Sequence, residues 1–306
     1  MAKLRLFSHL SLMVLLSSCI GTKIPDVLSK TTCTKPTNSS SINEIIIGNN
    51  DWINHGQTGG DPQNANELTV AQIKIPAQSA ACTGFLINAD TLITNNHCIG
   101  SIAQAVNVTA IFRDAAGGRE TYSCDQFIYT SAAYDFTLVK CANSPGNKYG
   151  WVGLYNQKPA MNAGIYVVQE NCDYISNPYC IVNKFVGFGK ILTSQATRIY
   201  HDADTLGGSS GSPIFSEDTH QVLALHNAGS PATSTSPAMN AGVPMHLIKS
   251  KILELALAPV YEFGTAGNNG VVIPPGGGGN PTPTPTPTPR PTVTAGPIIP
   301  LDTCIP

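Results

Sequence analysis

From Ile45 to about Phe263 the apolar residues fall in short runs broken by turn-forming residues. Leu68, Val70, Ile73 and Ile75 share one run. Val106, Val108, Ala110 and Phe112 alternate with residues such as Asn107 and Thr109, the period of a half-buried strand. Gly164–Val168, Phe185–Ile191 and Val222–Leu225 predict further strands, and Leu86–Ile93 predicts a hairpin. Turn signals recur at the spacing of a sandwich or barrel. One helix is predicted near the end of the region. Pro244 suits a first helical turn, and Ile248, Ile252 and Leu255 recur at helical spacing. This stripe reads as packing against the strand body.

The flanks differ in composition. Lys3 and Arg5 precede a short apolar run, Leu10–Leu16, too short to span a bilayer, so residues 1–18 are expected to be an export signal. Leu16-Ser17-Ser18-Cys19 resembles a bacterial lipobox, which makes Cys19 the expected lipidation site and a lipid anchor the expected membrane attachment. Residues 19–44 read as a tether or prosegment, and residues 45–264 as one folded domain. Residues 265–298 form a Gly/Pro/Thr-rich linker, extended where Pro alternates with Thr, and 299–306 a short tail.

Bulk numbers narrow the function. Of 306 residues, 42% are hydrophobic, enough for a core, and Gly (28) and Pro (23) favour a strand-rich fold. The 17 Lys and Arg are dispersed and the formal net charge is -2, so no nucleic-acid face is expected. Nine cysteines suit an oxidising compartment, and setting Cys19 aside leaves an even number. There is no CxxC pair and no HExxH. His55, His201, His220 and His246 match no ligand spacing, so no metal and no cofactor are expected.

Three segments carry chemistry. Gly207-Gly208-Ser209-Ser210-Gly211-Ser212-Pro213 precedes the apolar Ile214-Phe215. Its glycines permit a tight turn that exposes the Ser210 hydroxyl and aims the N–H groups of Gly208 and Ser210 at one oxyanion position. Ser209 and Ser212 compete for the role of nucleophile. Thr94-Asn95-Asn96-His97-Cys98 follows the predicted hairpin, and a bridge from Cys98 to Cys82 would close a short loop and hold His97. Asp135 stands just before the apolar Phe136–Val139, where a half-buried acid can fix an imidazole tautomer. Asp125 is the alternative acid, with no comparable apolar run after it.

The order His97, Asp135, Ser210 resembles that of the chymotrypsin-like serine proteases. The resemblance covers roughly Ile45 to Leu257. It implies an all-β fold of two six-stranded antiparallel β-barrels with a C-terminal helix, a His-Asp-Ser triad, and a Cys82–Cys98 disulfide. It also implies a monomer acting on protein or peptide substrates. Within that family the chain is most similar to the bacterial glutamyl endopeptidases. These share the Gly-x-Ser-Gly-Ser-Pro motif, a Thr at the position of Thr205, and a pocket His at the position of His226. Asn240–Pro244 also resembles their run into the terminal helix, and Ile45–Asp51 their mature N-terminus, although Trp52 departs from the Arg they carry there.

The resemblance implies cleavage after Glu, with Thr205 and His226 as donors to the substrate carboxylate. Asp202 and Asp204 lie close by and leave a basic-selective pocket as the competing idea. Ser209 occupies the position where the animal digestive enzymes carry an Asp that buries a new N-terminal ammonium, so that ion pair is not expected. Glu44 directly before the Ile45 run suggests a processing cut there. A Cys33–Cys304 bridge would keep the pieces joined, and Cys124–Cys141 with Cys172–Cys180 would complete one of many possible pairings. The address is an outer-membrane lipoprotein or the medium. The competing functions are an inactive protease-like surface binding protein, a protease of other specificity, and an anchored scaffold.

Overall fold

A computed structural model of the chain describes residues 45–58, 61–114, 116–172 and 181–264. The export signal, Cys19, the Cys33–Cys304 pairing, Glu44, Cys180 and the Pro-Thr stretch lie outside these residues. A short strand β1 (Ile53–Asn54) and helix α1 (Asp61–Leu68) precede β2 (Val70–Ile75), β3 (Ala80–Leu86) and β4 (Thr91–Thr94). Helix α2 (Ile102–Ala105) leads into β5 (Thr109–Arg113), β6 (Arg119–Ser123), β7 (Gln126–Ser131) and β8 (Phe136–Lys140). After α3 (Gly146–Tyr149) come β9 (Gly164–Asn171), β10 (Asn183–Ser194), β11 (Ile199–His201), β12 (Pro213–Ser216), β13 (Val222–Ser230) and β14 (Met239–Pro244), and α4 (Met245–Glu254) ends the domain.

The strands form two antiparallel sheets. The C-terminal one runs β1-β10-β11-β14-β13-β12-β9, and a β9–β10 pairing closes six of its strands into a barrel. The N-terminal one runs β6-β5-β2-β3-β4-β8-β7 and curls without closing, so one of the two expected barrels is a curled half-barrel. Its two edge strands are consecutive in sequence. At the seam the Ala142 N–H donates to the Ser123 carbonyl (2.8 Å), and the Cys124–Cys141 disulfide ties the residue after β6 to the residue after β8. The architecture is the chymotrypsin-like fold.

Strand β9 explains why Gly164–Val168 reads as an unbroken apolar run. Ile165 and Val167 point into the core of the closed barrel, with Ile191, Ile199 and Ile214. Tyr166 and Val168 point the other way, into a core shared with Val70, Phe85 and Phe136 of the half-barrel and Ile248 and Ile252 of α4. Both faces of this stretch are buried, so the period-2 alternation of side chains produces no polar position before Gln169.

Three boundaries depart from the pattern reading. Leu68 ends α1, a helix whose sequence DPQNANEL carries no apolar periodicity. Val106 is 53% exposed after α2, and Asn107 at φ 59° breaks the chain before β5. Leu255 caps α4 and is largely exposed rather than part of its buried stripe. The Leu86–Ile93 hairpin forms, with Asn88 Oδ1 accepting the N–H groups of Asp90 (3.0 Å) and Thr91 (2.8 Å).

A buried ionic cluster joins the two sheets. Arg113 Nε at the end of β5 donates to both carboxylate oxygens of Glu170 in β9 (3.2 and 2.9 Å). Lys184 Nζ in β10 lies 3.9 Å from Glu170 and donates to the Glu67 carbonyl (2.6 Å). Glu67 closes over His55, Gly56 and Thr58. Burial pushes the Glu170 carboxyl up while Lys184 and Arg113 pull it down, and burial lowers the Lys184 ammonium to about 8.

Candidate active site

His97, Asp135 and Ser210 come from three separate loops and meet at the junction of the two sheets. The turn after β4 delivers His97, with the Cys98 and Ile99 N–H groups both donating to the Asn95 carbonyl (3.3 and 3.2 Å). The Cys82–Cys98 disulfide ties that turn to β3. Asp135 precedes β8 at φ 45°, a left-handed conformation that Asp tolerates better than most residues, and Asn95 Nδ2 holds its carbonyl (2.9 Å).

The imidazole bridges the other two groups. His97 Nδ1 lies 2.9 Å from Asp135 Oδ2 and 3.1 Å from Oδ1, and Nε2 lies 2.9 Å from Ser210 Oγ. With Nδ1–H donated to the carboxylate, Nε2 is left to accept from the hydroxyl. Both carboxylate oxygens receive a further donor. The His97 backbone N–H reaches Oδ1 (3.1 Å) and Asn227 Nδ2 reaches Oδ2 (3.0 Å). Such an arrangement can move the hydroxyl proton to the imidazole and stabilise the imidazolium that results.

The competing residues stand elsewhere. Asp125 is exposed between β6 and β7. Ser209 is fully buried, donating to Gln169 and accepting from Asn171 Nδ2 (2.8 Å) and the Leu206 N–H (3.2 Å). Ser212 is fully buried and its carbonyl accepts from the His226 N–H (2.9 Å).

The Gly208–Gly211 loop is held by a residue that no motif singles out. Thr83, in β3 beside Cys82, donates its N–H to the Ser210 carbonyl (2.8 Å) and its hydroxyl to the Gly208 carbonyl (2.8 Å). The hydroxyl also accepts the Glu170 N–H (3.0 Å). Thr83 thus fixes the peptide groups that flank the candidate oxyanion position of Gly208 and Ser210. Gly211 is demanded by this approach. Its φ is +87°, and a Cβ would stand 2.1 Å from the Thr83 carbonyl oxygen.

Thr205 and His226 are both fully buried beside this loop. The Thr205 hydroxyl has no hydrogen-bond partner among the described residues. His226 Nδ1 lies 3.3 Å from Nε2 of the fully buried His201. Asp204 is turned away, accepting the N–H groups of Ile47 (2.7 Å) and Asp51 (3.1 Å), and Asp202 accepts the Lys190 N–H (2.6 Å). The Ile45–Asp51 segment is docked here. The Ile45 N–H donates to Asn240 Oδ1 (3.2 Å), and the Ile45 carbonyl accepts from Asn240 Nδ2 (2.8 Å) and the Thr205 N–H (3.2 Å). Trp52 stacks on Phe185 at 5.0 Å and anchors its end.

In the sequence His201 stands only in a loose set with His55, His220 and His246. That set disperses: His55 pairs with Glu67, His220 meets the Tyr166 hydroxyl, and His201 faces His226. Among the described residues no three His, Cys, Asp or Glu side chains gather as a metal site. Burial, and secondarily His226, hold the His201 pKa well below the ordinary histidine value. The folded chain therefore keeps His201 neutral where the unfolded chain takes up a proton. This contribution to stability is intact above about pH 6.5 and is lost as pH falls below it, by up to about 1.4 kcal/mol per pH unit. Urea unfolding at pH 7.5 and pH 5.5 should show a drop in midpoint that is smaller in His201→Gln. Equal drops in both proteins would remove His201 as a cause.

A family model described as a trypsin-like peptidase domain matches residues 82–225. "Secreted RxLR effector protein 73" of Plasmopara viticola is 30% identical over 185 residues, which is 54% of this chain and 45% of that protein. A glutamyl endopeptidase of Staphylococcus aureus (strain MRSA252) is 26% identical over 208 residues, 64% of this chain and 56% of that one. The chain spans about half the length of these curated relatives. Among solved structures, a Glu endopeptidase in complex with MPD superposes with a TM-score of 0.56 at 20% identity, covering 70% of this chain and 100% of that one.

Proposed function

We propose that this chain, a trypsin-like serine peptidase of the chymotrypsin-like fold, is an exported endopeptidase that cleaves after glutamate through an acyl-enzyme. The observation that carries the reading is His97 set between the Ser210 hydroxyl and the Asp135 carboxylate at 2.9 Å on each side. In this reading Ser210 is the nucleophile, His97 the general base and then acid, and Asp135 the group that orients and stabilises the imidazolium. Asn227 positions Asp135. The N–H groups of Gly208 and Ser210 receive the oxyanion, and Thr83 keeps them aimed. The substrate lies as an added strand along Asn227–Ser230, where β13 has lost its β12 neighbour.

The preference for glutamate rests on the donors beside the loop. A carboxylate entering a closed pocket needs partners to replace its water. The Thr205 hydroxyl supplies one and His226, backed by His201, the other. The basic-selective alternative loses support because the Asp202 and Asp204 carboxylates are engaged by backbone N–H groups.

The test is a digest of an unbiased peptide mixture, with Ser210→Ala as the blank. Cleavage concentrated after Glu is expected. In His226→Ala the Glu preference should fall about 10- to 100-fold, the scale of a hydrogen bond to a charged group. Ser210-dependent cleavage without a Glu excess would overturn the specificity. No Ser210-dependent cleavage would favour a binding protein built on a protease fold.

The disulfides suit an extracellular address. Lipidation of Cys19 and a processing cut after Glu44 belong to the same proposal, and the docked Ile45–Asp51 segment is consistent with a mature start at Ile45. N-terminal sequencing that finds another start rejects the cut. Fatty-acid labelling that persists in Cys19→Ser rejects the anchor.

A further inference from the structure

We infer that a second specificity site lies beside the triad, in which Arg198 selects an acidic side chain two or four residues upstream of the scissile bond. The inference rests on the reading of Ser210 as nucleophile and of the Thr205–His226 side as the pocket for the cleaved residue.

A cleft of about 590 Å³ opens next to His97, lined among others by Ala132, Ala133, Thr197, Arg198 and Ala228. Its walls are small side chains, so the cleft has room for a long substrate residue. The cleft holds two formally charged groups, and they differ in state. Asp135 is committed to His97 and Asn227. Arg198 sits in the tight turn between β10 and β11, where the Gln195 N–H donates to the Arg198 carbonyl (2.8 Å). It is partly buried and makes no ion pair among the described residues. A guanidinium in such a wall is suited to a carboxylate, which it can bind through two parallel N–H bonds.

The geometry of an extended chain decides which substrate residue meets it. Along an added strand successive side chains point to opposite faces. If the cleaved residue enters the pocket of Thr205 and His226, its upstream neighbour turns to the opposite face, toward His97 and Ala133. The third upstream residue returns to the pocket side, and the fourth points again into the cleft, nearer Arg198. The natural substrate class is therefore an acidic stretch, with carboxylates at the cleaved position and at the second or fourth position upstream of the bond.

The experiment uses the full chain and internally quenched peptides with Glu at the cleaved position. Glu is compared with Gln at the second, third or fourth upstream position. The Glu/Gln ratio of kcat/KM should be about five at the second or fourth position, the scale of a partly exposed ion pair, and near one at the third. The ratio should shrink with salt. In Arg198→Gln it should fall to about one, and Arg198→Glu should instead favour Lys there. A gain that survives Arg198→Gln, an equal gain at the third position, or no gain in the parent chain would overturn the inference. If the parent chain cleaves after a residue other than Glu, the same series built on that residue reads the same ratios. If it cleaves nothing, anisotropy of the labelled acidic and neutral peptides with Ser210→Ala reads the site directly. Tighter binding of the acidic peptide, lost when Arg198→Gln is added, then supports the site, and equal binding overturns it.

Discussion

If Ser210 is the nucleophile proposed above, Ser210→Ala should slow peptide turnover by about 10⁶-fold, while its thermal midpoint should stay within about 2 °C of the parent chain. The hydroxyl is a small group at the end of a loop already fixed by Thr83, and its removal takes away the 2.9 Å contact to His97. His97→Ala should cost nearly as much, because a nucleophile without its base and a base without its nucleophile are equally inert. Asp135→Asn is the more informative variant. Loss of the correct imidazole tautomer alone costs about 10⁴-fold in serine proteases. Here both carboxylate oxygens also accept from other donors, the His97 N–H at Oδ1 and Asn227 Nδ2 at Oδ2. An amide at this position must turn its NH₂ toward one of them, so the loss should reach at least that value. The turn that carries His97 should loosen as well. Turnover of a Glu peptide and the rate of fluorophosphonate labelling measure both effects. Labelling of Ser210→Ala at the parent rate would place the nucleophile elsewhere and sink the triad.

The meeting of His97, Asp135 and Ser210 was legible in the sequence because each of the three has a local signature. Glycines around Ser210, a cysteine beside His97 and an apolar run after Asp135 are properties of neighbouring residues. The supporting groups have no such signature. Thr83 acts on a carbonyl 125 residues away, and Asn227 acts on a carboxylate 92 residues away. Nothing in the pattern around either residue distinguishes it from an ordinary strand position. The same holds for α1, whose buried residues are Asn66 and Glu67 rather than an apolar stripe. Hydrophobic periodicity found the strands that bury apolar faces. It missed the helix that packs through polar contacts, the Asn66 amide to the Tyr166 hydroxyl and the His220 carbonyl, and the Glu67 carbonyl to Lys184.

Those polar contacts lead to the second large effect. Glu170→Ala should destabilise the chain by about 3–5 kcal/mol in urea unfolding at pH 7. The cluster sets Arg113 and Lys184 against the Glu170 carboxylate, with Lys184 also bound to the Glu67 carbonyl. Removing Glu170 leaves Arg113 and Lys184 without the carboxylate they share, and removing Arg113 leaves Glu170 without its guanidinium partner. Arg113→Met with Glu170→Leu fills the same space with apolar side chains and should recover most of the loss, giving a coupling energy above about 2 kcal/mol. The pair spans the two sheets, and the Glu170 N–H also supports the Thr83 hydroxyl that fixes Gly208. Single losses that add within about 0.5 kcal/mol would mean that Arg113 and Glu170 act independently.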